Sequence, residues 1–120
     1  MTFTLSKAER ISGRAATEAL LRKGRWGVLQ PVRYCWMADN GAGCNRIMVS
    51  VPKRLFKRAV KRNLLKRRMR EAYRTQKDLL PQKGIDLMLI YSSKDIVRYD
   101  FLKSEISHIL AEIAYTVTEG

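Results

Sequence analysis

The sequence predicts an α+β fold, a two-layer α-β sandwich built on one small mixed sheet. Segments of strand-like alternation are mixed along the chain with segments of helical periodicity, which is typical of this class. The chain has 120 residues, enough for one hydrophobic core and too few for a second. With 46% hydrophobic residues it can fill that core. We therefore expect a single domain over residues 1–120.

The first predicted element is a helix. Ser6 and Glu9 fit the capping pattern S-x-x-E, so we expect the helix to begin there, and Gly24 is a natural stop. Strand-like alternation follows over residues 31–37, with an optional short strand near residues 26–29. The chain therefore opens with a helix and one or two strands.

The second half of the predicted fold is richer in helix. Residues 39–43, DNGAG, indicate a hairpin turn that leads into a strand over residues 45–51. A long basic helix follows to about Lys77, and another strand covers residues 85–91. The last helix begins at about Asp100, and its apolar face consists of Leu102, Ile106, Ile109, Leu110 and Ile113. The predicted order is α-β-β-(β)-α-β-α, where the parentheses mean that one of the three strands in this run is optional.

The charge balance indicates the kind of partner. Lys and Arg number 24 against 11 Asp and Glu, a net charge of +13, which predicts a polyanionic partner. No apolar run approaches the 18 residues of a transmembrane helix, and the first ten residues lack the apolar middle of a signal peptide. We therefore expect a protein that stays in the cytoplasm and does not associate with membranes.

The positive charge is concentrated in one segment. Residues 53–74 hold 11 basic side chains and a single acid, Glu71, whereas the remaining 98 residues carry only +3. On a helix, one narrow stripe contains Asn63, Arg67, Arg70 and Arg74, and the opposite side contains Leu65, Met69 and Ala72. Like charges at these spacings cost stability, which a phosphate backbone would relieve. The segment is therefore predicted to bind nucleic acid, with a solvated charged face as the alternative.

No catalytic centre is visible in the sequence. Cys35 and Cys44 lack the spacing of a metal site; we expect two buried free thiols, although a contact across the hairpin stays open. His108 lies in the apolar pattern of the last helix and is expected to be structural or on the surface. We predict no catalytic residue and no metal ligand on this chain.

Residues 46–74 carry a specific motif. The segment RIMVSVPKRLFKRAVKRNLLKRRMREAYR resembles the protein subunit of bacterial ribonuclease P. The family combines a hydrophobic strand, a basic pair and A-x-x-R-N-x-x-K-R-x-x-R on a helix. Here these positions are Lys53 and Arg54, followed by Ala59, Arg62, Asn63, Lys66, Arg67 and Arg70.

The resemblance implies both a fold and a function. In the family, an RNA subunit with bound Mg²⁺ cleaves the 5′ leader from precursor tRNA, and a single protein chain assists it. The basic helix lies in a left-handed βαβ crossover, although a right-handed crossover is the general expectation. The motif and the charge of the segment together predict the RNA contacts, although Lys57 and Arg58 stand where many family members have a Gly-Asn pair. The predicted contacts are Lys53, Arg54, Lys57, Arg58, Lys61, Arg62, Asn63, Lys66, Arg67, Arg70 and Arg74.

The family holds the leader in a cleft beside the first helix and the sheet. Thr17 and Leu21 occupy positions where family members often have phenylalanine. Tyr34 and Trp36 share one face of a strand by period two, so they either stack on leader bases or fill the core. The resemblance and the strand pattern together suggest these four residues for leader binding.

Three other functions stay open at this stage. A structural RNA-binding protein of ribosomal type has the same small, basic composition. A DNA-binding module would place the basic helix in the major groove, but the basic groups spread widely around that helix and no dimerisation element is visible. A protein-only nuclease needs a cluster of metal-binding carboxylates, which the sequence does not offer.

Overall fold

The computed structural model describes residues 5–119. These residues form three α-helices, four strands and two single turns of 3₁₀ helix, Lys7–Glu9 and Lys77–Leu79. In chain order the helices and strands are α1 (Arg14–Lys23), β1 (Arg25–Leu29), β2 (Val32–Met37), β3 (Arg46–Ser50), α2 (Ala59–Arg74), β4 (Asp86–Tyr91) and α3 (Tyr99–Glu119). The α+β class and the optional strand, which is β1, are confirmed.

The four strands form a mixed sheet in the order β1-β2-β4-β3. β1, β2 and β4 pair antiparallel, and β3 pairs parallel with β4. Helix α2 lies in the connection between the parallel strands β3 and β4. The left-handed sense of this crossover stays a prediction.

The hairpin predicted at residues 39–43 is wrong, because β4 lies between β2 and β3. Five of the six residues of β4 are buried, so this strand needs neighbours and cover on both sides and takes an interior position. The segment pairs instead with the chain before β4, where the Asn40 N–H donates to the Gly84 carbonyl at 2.9 Å.

The predicted start of the first helix is also wrong. Ser6 and Glu9 do form their local contact, the Ser6 N–H donating to Glu9 Oε1 at 3.1 Å, but it closes only one 3₁₀ turn. The chain then extends beside β3, and the Ile11 N–H donates to the Ile47 carbonyl at 2.9 Å. The free edge of β3 thus competes with helix formation, and α1 begins only after Gly13, whose φ is +89°.

The basic helix is shorter than predicted. Residues 53–58 form a turn instead of the first helical turns, and α2 ends at Arg74 rather than near Lys77. Phe56 in that turn is buried in the core, which holds the turn against the fold.

The main core lies between one face of the sheet and the layer of α2 and α3. From α3 it receives all five predicted residues, Leu102, Ile106, Ile109, Leu110 and Ile113. Helix α1 lies on the other face, where Leu20 packs with Cys35 and Met88. The sheet with α2 and α3 forms the predicted sandwich, and α1 covers part of the open side.

Candidate nucleic-acid interface

Helix α2 separates apolar from basic residues as predicted. Its buried side consists of Leu65, Met69, Ala72 and Tyr73. Of the predicted RNA-binding residues, the exposed ones are Lys53, Arg54, Lys57, Arg58, Lys61, Asn63, Arg67 and Arg70, and the half-buried ones are Arg62, Lys66 and Arg74. Of these residues, Arg67, Arg70 and Arg74 line one cavity and so lie together. We call the exposed and half-buried predicted residues together the basic surface (residues 53–74).

Little negative charge opposes this surface. Glu71 is the one acid of α2, and its Oε2 lies 2.6 Å from Nη2 of Arg74. The hydrogen bond from Arg74 lowers the pKa of Glu71, so the carboxylate stays ionised and engaged at neutral pH. Within residues 5–119, neither Arg67 nor Arg70 has an ion-pair partner. The surface thus presents guanidinium groups that are ready for phosphate.

Arg62 has a structural contact that the sequence did not reveal. Its Nη1 donates to the carbonyls of Phe56 and Lys57, both at 2.8 Å. These bonds tie α2 to the turn that carries the basic residues 53–58. Arg62 therefore positions part of the basic surface, and its own contact with RNA stays a prediction.

The N-terminus of α2 breaks the usual capping rules. Arg58 occupies the N-cap position without a side-chain cap, and no acid stands in the first turn. Helix N-termini carry partial positive charge and prefer acidic or hydroxyl side chains, so Arg58 and Lys61 add to an unfavourable potential. An anion at this end would satisfy both the free N–H groups and the cations.

The predicted aromatic pair lies on the wrong face for a cleft beside α1. Tyr34 and Trp36 are each only 7% exposed and pack in the core under α2 and α3. The Tyr34 hydroxyl donates to Glu112 Oε2 of α3 at 3.3 Å, and the Arg25 guanidinium lies 5.4 Å from the Trp36 ring centroid. Of the two alternatives for this pair, the structure supports the core, because period two sends both rings away from α1.

A different aromatic residue lies on the α1 side. Trp26 pairs in register with Cys35, which contacts α1, so Trp26 shares that face. Its ring is 46% exposed, and the Arg33 guanidinium lies 5.1 Å from the ring centroid. Sequence reasoning missed this residue, because only the β1–β2 register shows that Trp26 lies opposite Cys35.

The two predicted leader residues on α1 differ in their surroundings. Leu21 is 41% exposed and free for contact. Thr17 donates its hydroxyl to the Gly13 carbonyl at 3.0 Å and lies 4.0 Å from the sulfur of Met48. On the sheet itself, Trp26 and Val28 are exposed apolar residues on the α1 side, and Val28 pairs in register with Arg33.

Residues 5–119 contain no group of three or more His, Cys, Asp or Glu that could hold a metal ion. Burial raises the pKa of the Cys35 thiol to about 11, Cys44 is half-buried rather than buried, and both are free thiols. His108 is exposed on α3, 3.9 Å from Glu105.

Among residues 5–119, no helix has the length and apolarity needed to cross a membrane.

Fold and surface together define a small basic α+β protein of the type that binds nucleic acid. The sequence profile of the family described as Ribonuclease P matches residues 5–114. The chain therefore belongs to the ribonuclease P protein family.

Individual relatives agree with this assignment. A ribonuclease P protein component from Porphyromonas gingivalis is 42% identical over 81 residues, which are 66% of this chain and 59% of that relative's length. A component from Borrelia hermsii is 30% identical over 104 residues, covering 86% of this chain and 90% of the relative. The solved structure of the Staphylococcus aureus RNase P protein superposes with a TM-score of 0.75 at 26% identity, covering 90% of this chain and 96% of that one.

Proposed function

We propose that this chain is the protein subunit of a bacterial ribonuclease P. In this role it binds the catalytic RNA subunit and the 5′ leader of precursor tRNA, and it assists endonucleolytic removal of the leader in the cytoplasm. The observation that carries the proposal is the basic surface on α2, together with membership of the family. As the resemblance implies, the chemistry of cleavage and its Mg²⁺ belong to the RNA.

The basic surface is the proposed contact with the RNA subunit. Arg67 and Arg70 offer planar guanidinium groups without ion-pair partners in residues 5–119, and such groups bind phosphate oxygens in pairs. The exposed cations of the turn before α2 extend the surface toward the uncapped helix end. Phosphate at these positions would relieve the repulsion that the free protein carries.

The α1 side of the sheet is the proposed contact with the leader. A leader varies in sequence, so it needs stacking and phosphate contacts rather than base-specific hydrogen bonds. Trp26 supplies an exposed ring and Arg33 a cation beside it, and Leu21 is an exposed apolar residue of α1. We propose Trp26 as the stacking residue in place of Tyr34 and Trp36.

Reconstitution tests the proposal directly. The full chain is mixed at low Mg²⁺ with ribonuclease P RNA from the same bacterium and a precursor tRNA that carries a 5′ leader. We expect cleavage at the mature 5′ end that requires both components, and a loss of stimulation in the double variant Arg67→Ala/Arg70→Ala. Lys94→Ala is the control, because it removes an exposed cation from the β4–α3 loop.

Two results would contradict the proposal. If the chain binds RNA but never stimulates cleavage, it is a structural RNA-binding protein of ribosomal type. If the double variant stimulates cleavage as well as wild type, the basic surface is not the contact.

The salt dependence of binding gives a further check. For about six to ten phosphate contacts, the affinity for RNA should fall about 10³–10⁵-fold between 50 and 200 mM salt.

A further inference from the structure

A groove lies between the N-terminal segment (residues 5–10) and the C-terminal half of α2. Leu5 and Arg10 lie on one side of a cavity of about 420 Å³, whose other side consists of Arg67, Arg70, Glu71 and Arg74. A second cavity of about 200 Å³ shares Leu5, Arg10 and Arg70, and is also lined by Met48 of β3. We call the two cavities together the arginine groove.

Arg10 is held beside α2 by contacts on both of its chain neighbours. Before it, the Glu9 carboxylate accepts hydrogen bonds from the Ser6 N–H at 3.1 Å and from Lys77 Nζ at 2.8 Å. After it, the Ile11 N–H donates to Ile47 of β3 at 2.9 Å. The backbone at Arg10 is thus fixed at two ends, while its side chain is exposed toward the groove.

The charges in the arginine groove are not balanced. Arg10, Arg67, Arg70 and Arg74 face a single carboxylate, Glu71, which is already engaged by Arg74. Within residues 5–119, Arg10 has no ion-pair partner, like Arg67 and Arg70. The three guanidinium groups that lack an ion-pair partner in residues 5–119 repel each other, and an oxyanion that accepts their hydrogen bonds would remove this cost.

The apolar part of the groove favours a bound phosphate further. Ile11, Ile47 and Val49 line the inner cavity together with Met48. Partial screening from bulk water by these apolar side chains makes a charge contact beside them stronger than one on an open helix face. A guanidinium fork also matches two phosphate oxygens in a way that a lysine does not.

We propose that the arginine groove binds an RNA phosphodiester, and that Arg10 contacts it together with Arg67 and Arg70. The backbone of the RNA would then pass between the N-terminal segment and α2, and not only along the outer face of the helix. The inference rests on the proposed function for its RNA partner. Both the RNA subunit and precursor tRNA carry this phosphodiester chemistry.

The test compares Arg10→Ala with Lys94→Ala, each of which removes one exposed positive charge. Binding of fluorescently labelled ribonuclease P RNA is measured over a series of salt concentrations. We expect Arg10→Ala to weaken binding about tenfold and to reduce the salt slope by about 1, with Lys94→Ala close to wild type. Arg10→Lys should recover part of the affinity, because it keeps the charge and loses the fork.

A second arm distinguishes the two sources of phosphate. Precursor tRNA is titrated into protein already bound to the RNA subunit, and the same variants are compared. A defect in the first arm assigns the groove to the RNA subunit, and a defect only in the second assigns it to the substrate. If Arg10→Ala equals Lys94→Ala in both arms while Arg67→Ala/Arg70→Ala binds weakly, the groove is overturned and the proposed function stands. If wild type binds neither RNA, the proposed function itself fails.

A separate experiment tests whether Glu9 positions Arg10. Glu9→Gln removes the ion pair with Lys77 but no groove cation. We expect it to weaken RNA binding in the wild-type background and to have no further effect in Arg10→Ala, because both changes act through the same guanidinium. Equal losses in the two backgrounds would overturn the role of Glu9 in placing Arg10.

Discussion

Arg46 and Asp86 form a paired contact across the parallel strands β3 and β4. Arg46 Nε lies 2.8 Å from Oδ1 of Asp86, and Nη2 lies 2.7 Å from Oδ2. The two residues are also partners in the strand register, and Asn40 donates a third bond to Asp86 Oδ1 at 2.7 Å. Asp86 is completely buried, so these donors take the place of the water molecules that would otherwise hydrogen-bond its carboxyl oxygens. The pair fixes the register from which α2 departs.

Asp86→Asn is expected to destabilise the protein strongly. It leaves the Arg46 guanidinium, whose side chain is only 20% exposed, without its charge partner. Breaking one side of a buried pair costs about 3–5 kcal/mol in the free energy of unfolding. Urea denaturation measures this loss. Asp100→Asn is the control: it breaks the exposed pair with Arg98 and should cost below about 1 kcal/mol. Equal losses in the two variants would contradict a special role for Asp86.

Arg62→Ala and Arg67→Ala should separate stability from RNA affinity. Arg62 holds the carbonyls of Phe56 and Lys57, so its loss should lower the free energy of unfolding by about 1–3 kcal/mol. Arg67 has no such partner within residues 5–119, so Arg67→Ala should keep the Tm and reduce the salt slope of RNA binding by about 1. Thermal unfolding measures the Tm of both variants, and RNA binding over a series of salt concentrations measures the salt slope. A lower Tm in Arg67→Ala, or an unchanged one in Arg62→Ala, would contradict the division.

The elements that sequence reasoning predicted well are those with local causes. Helix α3 needs only its apolar spacing, and its five buried residues match the prediction. Likewise, Leu65, Met69 and Ala72 lie on the buried side of α2 as their spacing requires.

The errors arose where a distant part of the chain decides the structure. The capping pattern at Ser6 is satisfied, yet Ile11 is not helical, because its N–H donates to the edge of β3. The turn at residues 39–43 has hairpin chemistry, yet β4 occupies the place beside β2 that a hairpin requires. Period two correctly put Tyr34 and Trp36 on one face, but only the position of α1 shows that it is the core face.

The two cysteines should react at different rates with an alkylating reagent. Burial raises the pKa of Cys35 to about 11, so at pH 8 only about one thiol in a thousand is ionised there, and the group is also inaccessible. Cys44 is half-buried and should react first. Mass spectrometry after iodoacetamide treatment at pH 8 should find one adduct, on Cys44, and a second only after unfolding. Equal labelling of both thiols in the folded protein would contradict the buried position of Cys35.

Trp26→Ala should weaken binding of a precursor tRNA with a leader and spare the same tRNA without one. Trp26 is exposed on the α1 side of the sheet, and stacking of one base on such a ring is worth about 1–3 kcal/mol. The measurement uses the assembled RNA–protein complex and gives the Kd of the tRNA without a leader divided by the Kd of the tRNA with one. This ratio should fall about tenfold. Tyr115→Ala is the matched control, since this ring is 69% exposed on α3 and lies outside the proposed leader contact. An unchanged ratio in Trp26→Ala, or the same fall in Tyr115→Ala, would show that the leader does not stack on Trp26.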